Sequence, residues 1–122
     1  MAQVVALIPD LLFGSRVQGA LRAAGHAIEL IGDSDRVGQR LAEADVLVVD
    51  LTGELDGAGF LEALSQAGGL RDTRTLGFYS HVDTSVRLRA RQAGFDLVVP
   101  RSRMAREGAE LVARLAAGEG VS

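Results

Sequence analysis

The chain has 122 residues, 48% of them hydrophobic and 24% charged, with a formal net charge of −3; this supports one hydrophobic core, and the acidic balance argues against a nucleic-acid partner. It contains neither Cys nor Lys, which excludes disulfides, thiolate metal sites, Cys nucleophiles, Schiff-base chemistry and a P-loop. There is no basic leader, and no apolar run approaches the roughly 18 residues of a membrane span, so a cytoplasmic protein with no membrane partner is expected.

Val4 to Ile8 is an apolar run bounded by Pro9 and Asp10, which predicts a buried strand. Phe13, Val17, Leu21 and Ala24 then recur at helical spacing up to Gly25, a C-terminal stop, and His26 reads as an exposed turn residue. Ala27 to Ile31 predicts a second strand, with Glu29 interrupting the apolar residues in the manner of an edge. Asp33 or Ser34 caps a second predicted helix, whose stripe is Val37, Leu41 and Ala44.

The stretch from Asp45 to Gly53, DVLVVDLTG, organises the rest. Val46 to Val49 predicts a strand buried on both faces, with Asp50 at its carboxyl end. A loop from Gly53 to Gly59 precedes a third helix, Phe60 to Ala67, ended by Gly68-Gly69. Thr75 to Tyr79 predicts a fourth strand, running into Ser80-His81-Val82-Asp83. Val86, Ala90 and Ala93 mark a fourth helix closed by Gly94. Leu97 to Val99 is a fifth strand stopped by Pro100, which suits an edge because it donates nothing to a neighbouring ladder. Leu111, Val112 and Leu115 stripe a fifth helix.

Strands alternating with helices predict a parallel sheet with right-handed crossovers, covered on both faces. The two edge-like strands, second and fifth, give the order 2-1-3-4-5, a flavodoxin-like α/β/α sandwich with its switch point between strands one and three. One domain is expected over residues 1–117, with a polar tail over 118–122. Ligand crevices in such sheets lie outside the carboxyl ends of the strands. That rule gathers Asp10, Asp50, Thr52, Ser80, His81 and Arg101. Ser80, His81 and Asp83 are too close together in an extended turn to act as nucleophile, base and orienter. No G-x-G-x-x-G or G-K-[ST] pattern is present to cradle a nucleotide.

In length, βα order and the placement of these residues, the chain resembles response-regulator receiver domains, over essentially its whole length. Asp10-Leu11-Leu12-Phe13-Gly14-Ser15-Arg16, Gly77 to Asp83 and Pro100-Arg101-Ser102 also resemble stand-alone bacterial receiver-like proteins. The resemblance implies Asp50 as phosphoacceptor and Asp10, Asp50 and the Thr52 carbonyl as Mg²⁺ ligands. It further implies Ser80 as the hydroxyl that bonds a phosphoryl group and Arg101 in the place of the receiver lysine. Three positions depart from that pattern: Pro9 replaces a second acid, Arg101 replaces Lys, and bulky His81 gates the pocket where a small residue is usual. Mg²⁺ binding is therefore expected to be weak.

Charge is unevenly placed, with nine acids and four Arg in residues 1–61 and seven acids and nine Arg in residues 62–122. Arg87 and Arg91 fall on the fourth helix and Arg103 and Arg106 in the region after the fifth strand, and the resemblance implies that the face made by the fourth helix, fifth strand and fifth helix dimerises or binds partners. The resulting expectation is a non-enzymatic, stand-alone signalling or protein-interaction module, degenerate in phosphotransfer, that binds a protein partner or a second copy there. An active phosphoacceptor using Asp50 and Mg²⁺ is the alternative, and a small-anion or metabolite sensor at the strand-end pocket is a third. In the resting protein Arg101 is expected to pair with Asp50 or Asp10.

Overall fold

The computed structural model describes residues 1–53, 55–80 and 83–119. A five-stranded parallel sheet is built from β1 (Gln3–Leu7), β2 (Ala27–Ile31), β3 (Val46–Asp50), β4 (Arg74–Tyr79) and β5 (Leu97–Pro100), in the order β2-β1-β3-β4-β5. The helices are α1 (Leu11–Ala23), α2 (Gly57–Gln66), α3 (Thr84–Ala93) and α4 (Arg101–Ala116). The expected sandwich and strand order are both found. Among the described residues no helix is long and apolar enough to cross a membrane.

Alternation along the strands divides the core into two layers. Val46 and Val48 of β3 join Phe13, Val17 and Leu21 of α1 and Met104, Leu111, Val112 and Leu115 of α4. Leu47 and Val49 turn the other way, toward Leu61 of α2, Ala90 of α3, Val37 and Leu41. All five residues of β3 are buried, as expected for a central strand. Glu29 on the edge strand β2 stays in solvent and pairs with Arg40 at 3.3 Å.

Helix boundaries follow local chemistry. The Asp10 carboxylate caps α1 by accepting from the N–H groups of Leu12 and Phe13. Gly25 takes φ +92° just beyond the helix, and Gly94 takes φ +107° at the end of α3, left-handed values that favour glycine. α2 begins at Gly57, three residues before the expected start, because Asp56 caps it through the Gly59 N–H at 3.0 Å.

Two expectations are corrected. The second helix is replaced by two 3₁₀ segments, Ser34–Arg36 and Gly38–Glu43. Asp33, Ser34 and Asp35 are weak helix formers, Gly38 interrupts the stretch, and Asp33 accepts from the Asp35 N–H at 2.9 Å to close a tighter turn. Val37 and Leu41 are nonetheless buried as the stripe required. His26 is not an exposed turn residue: it is 8% exposed, and its Nδ1 accepts from the Ala2 N–H at 3.0 Å. That bond places the imidazole hydrogen on Nε2, which donates to the Ala109 carbonyl at 3.2 Å.

Candidate functional site

Register determines what meets at the carboxyl ends of the strands. Leu7 pairs with Val49, Asp50 with Phe78, and Tyr79 with Pro100. Asp50 therefore ends the middle of the sheet, while Ser80 and Arg101 leave neighbouring strands one residue beyond a paired position. Asp10 follows β1 by three residues.

The two carboxylates have different surroundings. Asp50 is 5% exposed, and its Oδ1 accepts from both the Thr52 N–H at 2.7 Å and the Thr52 hydroxyl at 2.6 Å. This closes a local turn that holds the carboxylate against the chain leaving β3. The next residue, Leu51, anchors that turn. Its N–H donates to the Phe78 carbonyl at 2.9 Å, and its side chain fills space left by two glycines. A Cβ on Gly77 would approach Leu51 Cδ1 to 2.8 Å, and one on Gly57 would collide with Leu51 Cδ2.

Asp10 is half exposed and already committed. While Oδ1 caps α1, Oδ2 receives Arg101 Nη2 at 3.3 Å. The Arg101 guanidinium also lies over the Phe13 ring, 4.2 Å from its centroid, in a cation–π contact. The expected pairing of Arg101 is thus found with Asp10. Phe13 in turn packs on Phe78 with ring centroids 5.1 Å apart, which ties Arg101 to the core beneath it.

The likeness to known structures agrees with this layout. A Francisella response regulator receiver domain superposes with a TM-score of 0.83 at 16% identity, covering 97% of this chain and 98% of that one. The chain has the response-regulator receiver fold. A response regulator from Chloroflexus aurantiacus gives a TM-score of 0.84 at 17% identity, with 95% and 98% of the two chains covered. The signal receiver domain of the response regulator NarL from Mycobacterium tuberculosis gives 0.80 at 22%, with 97% and 98% covered. No family model and no curated protein matches the sequence.

Receivers with an active site hold Mg²⁺, a hard cation that takes six oxygen ligands. Among the described residues no group of three or more His, Cys, Asp or Glu side chains is placed to hold a metal ion. Pro9 offers no carboxylate, Asp10 is occupied by the helix cap and Arg101, and Asp50 is bonded to Thr52. Asp10 and Asp50 thus each have a carboxylate oxygen already bonded within the protein. His81, the expected gate, lies outside the described residues.

Beside this site, between α1 and α4, runs a groove of about 540 Å³ lined by Phe13, Arg16, Thr52, Ser80, Arg101, Ser102 and Ala105. Arg16 and Ser102 join Ser80 and Arg101 here and were not singled out from the sequence. Arg16 lies one residue short of Val17, so its position beside the buried stripe was the available signal.

The expected interaction surface is divided. Arg87 and Arg91 on α3 make no ion pair with another described residue, and Leu88 between them is 59% exposed. Arg89 instead reaches α2, pairing with Asp56 at 3.2 Å and Glu62 at 3.5 Å. The Gly59 N–H, and then the Arg89 guanidinium, hold the Asp56 carboxyl below the usual carboxylate value. On α4, Arg103 and Arg106 both approach Glu107, at 3.5 and 3.6 Å, which lowers the net charge of that helix face.

Proposed function

We propose that the chain is a receiver-like signalling or protein-interaction module that has lost phosphotransfer and acts through its surface. The observation that carries this reading is the commitment of both candidate carboxylates to the protein itself. Asp50 is buried and bonded to Thr52, and Asp10 caps α1 and holds Arg101. An aspartyl nucleophile needs a metal to neutralise the phosphoryl oxygens it attacks, and the donor set is poor for one.

The surface formed by α3, β5 and α4 is the working face in this reading. Arg87 and Arg91 flank an exposed Leu88, a combination of apolar contact and positive charge without an ion pair among the described residues that suits an acidic partner surface. The acid-rich first half of a second copy has that chemistry. Sedimentation equilibrium of the wild type and the Arg87→Glu/Arg91→Glu double variant, at low and high salt, tests the assignment. Self-association that weakens with both changes supports it. A wild type that stays monomeric at high concentration, or an association indifferent to the double reversal, removes this face from the function.

A further inference from the structure

We propose that the α3 face carrying Arg87, Leu88 and Arg91 docks onto the β2–β3 connection of a second copy, so that copies join head to tail. The proposal rests on the surface reading above and names the occupant of that surface.

The fold separates the two sides of this contact. The 3₁₀ segments between β2 and β3 supply Val37 and Leu41 to the same core layer as Leu61 of α2 and Ala90 of α3. With the strands in the order β2-β1-β3-β4-β5, the 3₁₀ connection stands at one end of that layer and α3 at the other.

Charge differs between those ends. Among the acids of residues 1–61, Asp10, Glu29 and Asp56 each pair with an Arg, and Asp50 is buried. Glu54 lies outside the described residues. Asp33, Asp35, Glu43 and Asp45 are exposed and make no ion pair with another described residue, and all four lie in the β2–β3 connection. Arg36 is the cation set against them, because Arg40 is held by Glu29. This end of the layer is therefore negative.

At the other end the acids near α3 are already engaged. Asp56 and Glu62 on α2 face Arg89, Asp83 caps α3 through the Val86 N–H at 3.2 Å, and Asp96 bonds Thr75 and approaches Arg74. Residues two apart on a helix point about 200° apart. Arg87 and Arg91 thus lie on the side of α3 turned away from Arg89 and α2, toward the outer end of the layer. Being four apart they share a face, with Leu88 exposed beside them.

The two ends complement each other, and neither complements itself. Copies meeting α3 to α3 would set Arg87 and Arg91 against the same pair, a like-charge contact that opposes docking. A contact between unlike ends leaves every dimer one unused α3 and one unused connection, so assembly continues past the dimer, to a ring or an open chain.

Sedimentation of three proteins tests this: the wild type, Arg87→Glu/Arg91→Glu and Asp35→Arg/Glu43→Arg. The side chains of Asp35 and Glu43 are exposed and bond no other described residue, so their replacement leaves the fold intact, as thermal melts will verify. The wild type is expected to grow past the dimer with concentration at low salt, and each variant alone to associate about tenfold more weakly. An equimolar mixture of the two variants regains association, because one keeps the acidic connection and the other keeps the basic α3 face. If Asp35→Arg/Glu43→Arg assembles like the wild type while Arg87→Glu/Arg91→Glu does not, the head-to-tail contact is overturned and the α3 face keeps its function. A wild type that stops at a dimer, or a mixture no stronger than its parts, would also overturn the contact. A wild type that stays monomeric removes the surface reading with it.

Discussion

Where the strands begin, polar side chains tie together segments far apart in sequence; where the strands finish, they bond mostly within two or three residues of themselves. At the first end Ala2 is joined through His26 to Ala109, Gln3 to Asp45 at 2.8 Å, and Thr73 to the Ala44 carbonyl at 3.1 Å. Thr75 gives its N–H to Asp96 at 2.7 Å and exchanges hydroxyl bonds with that residue. At the other end Asp10, Asp50, Asp56 and Asp83 each bond the backbone just ahead of them. Among the described residues, the long-range side-chain links there are the exposed ion pairs of Arg101 and Arg89.

The difference separates holding the fold from presenting a surface. Links across distant segments must all break when the sheet opens, so they contribute to global stability. Local caps and exposed pairs can rearrange around a ligand while the sheet stays intact. Substitutions at the first end should therefore lower stability and spare binding, and those at the second should do the reverse.

The largest effect is expected for Asp96→Ala. It strands the N–H and hydroxyl of Thr75, which is 2% exposed. Urea denaturation should show a loss of about 2–3 kcal/mol. A loss within experimental error would break the comparison.

His26 gives a smaller effect. His26→Ala should cost about 1–2 kcal/mol at pH 8 by leaving the Ala2 N–H without its acceptor. A cost within experimental error would contradict the bonding assigned to the ring.

Arg101→Ala should be the mildest for stability, about 1 kcal/mol or less, since it removes a half-exposed ion pair and one stacking contact. A loss well above that would mean that Arg101 serves the fold.

This division also explains what was legible in the sequence. The strand order was readable because β-branched runs mark buried strands, while Glu29 and Pro100 mark edges. Asp50 was readable because a carboxylate after Val46 to Val49 stands at a strand end. Asp10 carried an overlooked local signal, an Asp directly before an apolar helical run, which is a cap pattern. His26 carried none, because its partners lie near the start of the chain and on α4 and are brought to it by the fold alone. The slot for Leu51, made by Gly57 and Gly77 from different elements, was hidden for the same reason.

The most direct measurement is the intact mass of the protein after incubation with acetyl phosphate and Mg²⁺. Carboxylates already committed to a helix cap, an Arg and a Thr should leave the mass unchanged, in the wild type and in Asp50→Asn alike. A gain of one phosphoryl group in the wild type that is absent from Asp50→Asn would show Asp50 to be an active phosphoacceptor, contrary to the function proposed here.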